Sequence, residues 1–151
     1  MNYYFEDLEK QGQLKIILDE WLDTPFRHKA GVKGVGADCI HFVARVFEEM
    51  GIVKWRKDLI PDYPYDWHLH NTRELLAEGI DRVLNVEKLD KEAPKMNGDI
   101  ALYHMGKAAS HAAIYFDGYI YQALTDIGVC KIHVLDKTFK KQMRFLYRIL
   151  A

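Results

Sequence analysis

Cysteine is scarce in this chain, and the scarcity narrows the classes it can belong to. Two thiols, Cys39 and Cys130, are too few for a small secreted domain stapled by disulfides, and neither has a second cysteine nearby to make a zinc-ligand pair. Their spacing alone does not decide whether they bond to each other. Neither sign of charge is in excess. Lys and Arg total 21 against 22 Asp and Glu, which removes the electrostatic footprint of a nucleic-acid binder or of a protein that lies on anionic membranes. No apolar run approaches membrane-spanning length. The first ten residues are acidic and aromatic where a secretory signal is basic and then apolar, so the sequence predicts synthesis in the cytoplasm without a signal peptide. Internal repeats and low-complexity tracts are lacking too.

What remains is enough for one folded unit. With 49% hydrophobic and 13% aromatic residues, residues 1–151 are expected to form a single domain with a proper core. The stretch that organises it is Gly34-Val-Gly-Ala-Asp-Cys39-Ile-His-Phe-Val43, a glycine-punctuated loop running into a helix. Phe42, Val43, Val46, Phe47 and Met50 follow the i, i+3, i+4, i+7 series of a helix with one buried face. Asp38 is a good N-cap and Gly51 a plausible stop, so the helix is expected from Cys39 to about Met50. A thiol at that terminus meets unpaired amides and the positive end of the helix dipole, which favour thiolate, while Asp38 opposes it. Such a cysteine needs an imidazole to act as a nucleophile at neutral pH.

Upstream, Leu8, Leu14, Ile16, Ile17, Leu18, Trp21 and Leu22 mark a helical region from about Glu6 to Trp21, broken at Gly12, and Asp23 to Gly31 reads as a loop. Downstream, Pro61-Asp-Tyr-Pro-Tyr-Asp-Trp-His-Leu-His70 reads as an ordered aromatic loop whose rings line a groove or pack on the core. His68 and His70 have no further ligands at nearby spacing, so no metal site is predicted. Asn71 with Glu74 resembles a capping box for a second helix carrying Leu75, Leu76, Gly79, Ile80, Val83 and Leu84, and Lys88 to Lys95 reads as a charged loop. After that the pattern changes. Runs at Asp99–His104, His111–Phe116, Tyr119–Leu124, Val129–Val134 and Arg144–Ile149 are short, rich in β-branched and aromatic residues, and separated by turns. Helices first and strands second predict an α+β domain, the N-terminal helices packed on an antiparallel β-sheet formed by the C-terminal half.

Asp117-Gly118 is a strong hairpin signal. If Phe116 pairs with Tyr119, then Ala113 faces Gln122 and His111 faces Leu124, so His111 and Gln122 become diagonal neighbours at roughly 7–8 Å, within side-chain reach. This offers a nucleophile, a base and an orienting group in Cys39, His111 and Gln122. Each also has a plain reading: a small buried hydrophobe, a satisfied histidine at a strand start, an ordinary polar strand residue.

Gly36-Ala-Asp-Cys39 before an apolar helix, Asn97-Gly-Asp-Ile-Ala-Leu-Tyr103, and His111-Ala-Ala-Ile-Tyr-Phe-Asp-Gly-Tyr-Ile-Tyr-Gln122-Ala together resemble the NlpC-type cell-wall cysteine peptidases, compact relatives of the papain fold. The similarity runs from about Trp21 to Leu124. Thr24 to Cys39, with Pro61 to Trp67, looks most like the phage and prophage branch. The resemblance implies Cys39 as nucleophile, Cys39's amide as oxyanion donor, His111 as base and then acid, and Gln122 as the third polar residue. It implies Asp38, Phe26, His41 and Ser110 on the substrate side, a peptidoglycan stem peptide cut between a γ-linked D-glutamyl residue and the next diamino acid, and no metal or organic cofactor. Phage tail proteins are the implied partners, and incorporation into a phage-like particle the implied destination. Three departures stand out: Phe26 occupies a place commonly held by tyrosine, Ile40-His41 replaces a small pair such as Ser-Gly, and Gln122 cannot carry charge. Position 41 falls off the apolar stripe, which predicts His41 on the solvated helix face. His28 and His104 are expected at the surface near the groove, His133 facing solvent or a sheet neighbour, and Cys130 buried and inert. Two rivals stay open: a non-catalytic tail or wall-binding module, and a papain-like amidohydrolase or acyltransferase with another substrate.

Overall fold

A computed structural model describes residues 2–56, 58–60, 74–105, 108–134 and 136–151. The aromatic run from Pro61 to His70, with His68 and His70, and the capping residue Asn71 lie outside the described residues. A short 3₁₀ turn (Tyr4–Glu6) leads into α1 (Leu8–Trp21), whose N-cap Asp7 accepts the amides of Glu9 and Lys10. This helix runs unbroken through Gly12. One glycine costs about 1 kcal/mol, which burial of Leu14, Leu18 and Trp21 outweighs at roughly 1.5–3 kcal/mol per large side chain.

The loop after α1 is tied at both ends. Asp23 N–H donates to the Val129 carbonyl, Val129 N–H returns to Thr24, and Thr24 Oγ1 accepts the Gly34 amide at 2.9 Å. A two-stranded hairpin, β1 (Gly31–Val32) with β2 (Gly36–Ala37), then delivers the chain to α2 (Cys39–Glu49). Gly31 is required by close packing: a Cβ there would lie 3.0 Å from the Cβ of His41. Helix α2 has the predicted span and buries Phe42, Val43, Val46 and Phe47, with Phe42 edge-on to Trp21 at 5.7 Å. The helix α3 (Leu75–Val83) buries Leu76, Ala77 and Ile80, and among the described residues no side-chain cap bond is made at its N-cap, Glu74.

Six strands form one sheet: β3 (Val86–Leu89), β4 (Ile100–Met105), β5 (Ala108–Phe116), β6 (Tyr119–Leu124), β7 (Gly128–His133) and β8 (Met143–Ile149), the last preceded by a short helix α4 (Lys137–Gln142). Their order is β3-β8-β4-β5-β6-β7, and the pairs are antiparallel. All five strands expected from the sequence are present. A sixth, β3, occupies part of the stretch read as a charged loop. One face of the sheet, with Ile100, Leu102, Ala112, Ile114 and Tyr121, joins the core formed by α1, α2 and α3; the other carries Ala101, Tyr103, Ala113, Ile120 and Leu146. Asp99, 1% exposed, accepts from Nε and one Nη of Arg148, each at 2.9 Å, and from the Met96 amide, so the entry to β4 is fastened to the end of β8.

Candidate active site

The β5–β6 hairpin turns through Asp117 and Gly118, both with positive φ as a type I′ turn demands. Its ladder has the predicted register, Phe116 with Tyr119 and Ile114 with Tyr121, and ends at that last pair. The facing positions Ala113 and Gln122 therefore lie just past the laddered part. Across this opening the side chains do the joining: His111 Nε2 and Gln122 Oε1 are 2.6 Å apart, both residues buried. A carboxamide oxygen only accepts, so His111 Nε2 carries the hydrogen and Nδ1 is the nitrogen left for proton exchange. Gln122 Nε2 is buried without a partner among the described residues. The Tyr103 ring stands 6.0 Å from the imidazole; burial pushes its phenol well above the ordinary value, so it stays neutral.

Helix α2 packs on β5 and β6, the strands of His111 and Gln122. The backbone amides of Ala112, the residue after His111, and of Ile40 and Cys39 itself favour the Cys39 thiolate. Both cysteines are free thiols. Burial, and next the Asp38 carboxylate, push the Cys39 thiol up to about 12, overriding those amides and the helix dipole. Burial pushes the His111 imidazole down, partly offset by Gln122. Both directions favour the neutral forms, a thiol at Cys39 and an uncharged imidazole at His111.

Asp38 is the N-cap, as the sequence indicates: Oδ1 accepts the His41 amide at 2.9 Å and Oδ2 the Lys29 amide at 2.8 Å. Phe26 is half-buried against the core and forms a β-bridge to Ala37, two residues before Cys39. Ser110 precedes His111 on β5, and its side chain lies outside the described residues.

Twenty-five solved chains superimpose on this one with high confidence of a shared fold. A lipoprotein-like NLP/P60-family protein from Staphylococcus aureus matches all of this chain at a TM-score of 0.68 and 16% identity. The chain has the NlpC/P60 fold. An NlpC/P60-family protein from Bacillus cereus matches 93% of it at a TM-score of 0.62 and 18% identity, and the NlpC/p60 domain of the peptidoglycan hydrolase SagA matches 93% at 0.57 and 15%. The chain spans 44% and 40% of the length of the first two, and 97% of the third. No family sequence model and no curated protein sequence matches it. These identities establish the NlpC/P60 fold and nothing finer.

Within the NlpC/P60 fold, several expectations about the remaining residues need correction. His41 is not on a solvated face: its side chain is 12% exposed, Nδ1 lies 2.7 Å from Asp38 Oδ1, and Trp55 stands 6.1 Å away. The wheel of α2 alone cannot show this, because the residues that cover His41 come from the β1 hairpin and from Trp55. His28 is half-buried, with Nδ1 3.9 Å from Asp38 Oδ2, where the sequence suggested a surface residue. His104 lies on β4 with Nε2 buried and unpartnered among the described residues. His133 is exposed and pairs with Tyr119 across the strands. Cys130 is half-buried rather than buried, directly opposite Gln122, its thiol raised by burial. Among the described residues no group of three His, Cys, Asp or Glu side chains is arranged to hold a metal ion, and no helix is long and apolar enough to cross a membrane. Tyr103 and Trp55 were missed as neighbours of the site. Pairing of β4 with β5 is the signal that brings Tyr103 beside His111.

Proposed function

We propose that the chain is a cysteine hydrolase of peptidoglycan stem peptides, cutting the amide between a γ-linked D-glutamyl residue and the following diamino acid. One juxtaposition carries this reading: the 2.6 Å bond between His111 and Gln122, next to Ala112, whose amide favours the Cys39 thiolate. In this reading Cys39 is the nucleophile, His111 the general base and then acid, and Gln122 the residue that fixes the imidazole. Because both partners are neutral at rest, proton transfer to His111 Nδ1 accompanies attack of sulfur on the scissile carbonyl. The Cys39 amide at the open end of α2 holds the oxyanion. Collapse expels the amine, which takes the proton from the imidazolium and leaves a thioester. Water, deprotonated by His111, then adds to that thioester and releases the acid and the free thiol.

Phe26 and Ser110 flank the substrate in this reading. Asp38 and His41 contribute through the helix cap, and no cofactor takes part. Support for peptidoglycan as the substrate comes from the sequence resemblance and from a structural neighbour that is a peptidoglycan hydrolase. We also assign the protein to a phage or prophage tail apparatus, with tail proteins as partners; the support is the resemblance of residues 24–39 and 61–67.

The test is digestion of purified sacculi and a defined stem tetrapeptide, with mass spectrometry of the released fragments. New amino termini on the diamino acid are expected from the wild type and none from Cys39→Ala, which should keep its circular dichroism spectrum. A wild-type protein no more active than Cys39→Ala would overturn the peptidase reading and leave a binding module, or an enzyme for another acyl donor.

A further inference from the structure

Cys39 is preceded by a carboxylate whose oxygens are both engaged by the chain's own donors. Asp38 is 3% exposed; Oδ1 accepts the His41 amide and stands 2.7 Å from His41 Nδ1, while Oδ2 accepts the Lys29 amide. An acceptor-only carboxylate at that distance requires a hydrogen on His41 Nδ1, so His41 Nε2 is the atom that gains or loses a proton. Positions i and i+2 of a helix do not face each other, so His41 reaches the Cys39 sulfur through Asp38 and not directly.

We propose that His41 is a positioning residue that sets, through Asp38, the charge against which the Cys39 sulfur ionises, making the thiolate easier to form on the acid side of the His41 titration than on its alkaline side. With His41 protonated, the Asp38–His41 unit is a neutral ion pair. With His41 neutral, the unit carries one negative charge beside the sulfur and opposes a second. That opposition is already visible: after burial, Asp38 is the strongest influence holding the Cys39 thiol protonated. Among the described residues, further groups stand around the unit. Arg45, with its guanidinium over Trp55 and Nε on the Gly31 carbonyl, is matched by Glu48. Lys29 is exposed. His28 Nδ1 lies 3.9 Å from Asp38 Oδ2, and His111 stands on β5. The proposal rests on Cys39 being the nucleophile, as in the reading above, and on nothing about the substrate.

The experiment is the rate of iodoacetamide alkylation at Cys39 against pH, in a Cys130→Ser background, for the parent protein and for His41→Gln. Glutamine keeps a donor for Asp38 but has no proton to gain. The parent should react about three- to tenfold faster than His41→Gln near pH 5.5, the size expected for one screened unit charge nearby, and the two should converge by about pH 8.5. A ratio that does not change with pH means a packing role only and overturns the proposal, as does a faster His41→Gln at acid pH. Should His41→Gln not fold, a His111→Gln protein carries the test. A shoulder in its rate profile coincident with the His41 titration followed by NMR supports the proposal, and a line of unit slope through that range overturns it. The readout needs no substrate. A protein that alkylates in this pattern yet releases no stem-peptide fragment overturns the peptidase reading alone, whereas sacculus digestion with a constant ratio overturns this proposal alone.

Discussion

Removing the Gln122 carboxamide should impair activity far more than the loss of one hydrogen bond suggests. Gln122 is 0% exposed and His111 5%, so Gln122→Ala strands a buried imidazole N–H at a cost of about 1–3 kcal/mol, and the emptied volume adds about 1–2 kcal/mol. Against this, the variant removes Gln122 Nε2, which has no partner among the described residues, a relief of about 1 kcal/mol. A net loss of about 2–3 kcal/mol is expected in urea unfolding. For catalysis, the freed ring can rotate and exchange tautomers. With general acid–base help worth about 10²–10⁴, a fall of about a hundredfold in kcat/KM is expected, equivalent to roughly 2.7 kcal/mol. Gln122→Asn is the sharper control. The amide is retained but recedes by about 1.3 Å, one projected carbon–carbon bond, which takes the 2.6 Å contact beyond hydrogen-bond reach. Asparagine should therefore behave like alanine, while Gln122→His, which restores a ring nitrogen at greater reach, should recover activity. The assay is kcat/KM on a stem tetrapeptide alongside urea unfolding for all four proteins. Wild-type kcat/KM in Gln122→Asn, or an Ala variant less than threefold impaired, would refute the reasoning and leave the bond a purely structural one.

Two further outcomes are expected. Because burial lowers the His111 pKa, its neutral, proton-accepting form persists to lower pH than an ordinary histidine; the acid limb of kcat/KM should fall below pH 6.5, and a limb at or above that value would contradict the assignment. Arg148→Met leaves the Asp99 carboxylate buried without its cation and should destabilise by about 3–5 kcal/mol in urea unfolding, while a loss under about 1 kcal/mol would show that the pair is dispensable.

Much of this molecule is legible in one dimension because the deciding interactions are local. Helix α2 announces itself through Phe42, Val43, Val46 and Phe47 on one stripe with Asp38 at its head. The β5–β6 hairpin does so through Asp117-Gly118, and its register brings His111 to Gln122. What escaped depends on packing that the pattern of a single element does not show. Val86 to Leu89 carries two charges in four residues and is a strand only because β8 pairs with it along its whole length. His41 looks solvated on its own helix and is covered by a hairpin that ends two residues before that helix begins. The Cys39 thiol sits where the dipole argument favours ionisation, yet burial against β5 and the neighbouring carboxylate outweigh the dipole. Gly12 reads as a break and is carried through by the buried residues that follow it.

The position of β8 has a consequence for how the protein comes into being. It is the last strand in the chain, yet it lies between β3 and β4. During vectorial synthesis the strands β4 to β7 and the helix bearing Cys39 emerge first, with the open edge of β4 unpaired and Asp99 without its cation. Only when Met143–Ile149 appears can β8 slot into that edge, bring Arg148 to Asp99 and join β3 to the rest. A chain of this topology has Cys39, His111 and Gln122 translated while the sheet beneath them is still in two pieces, and β8 joins the pieces only after all three.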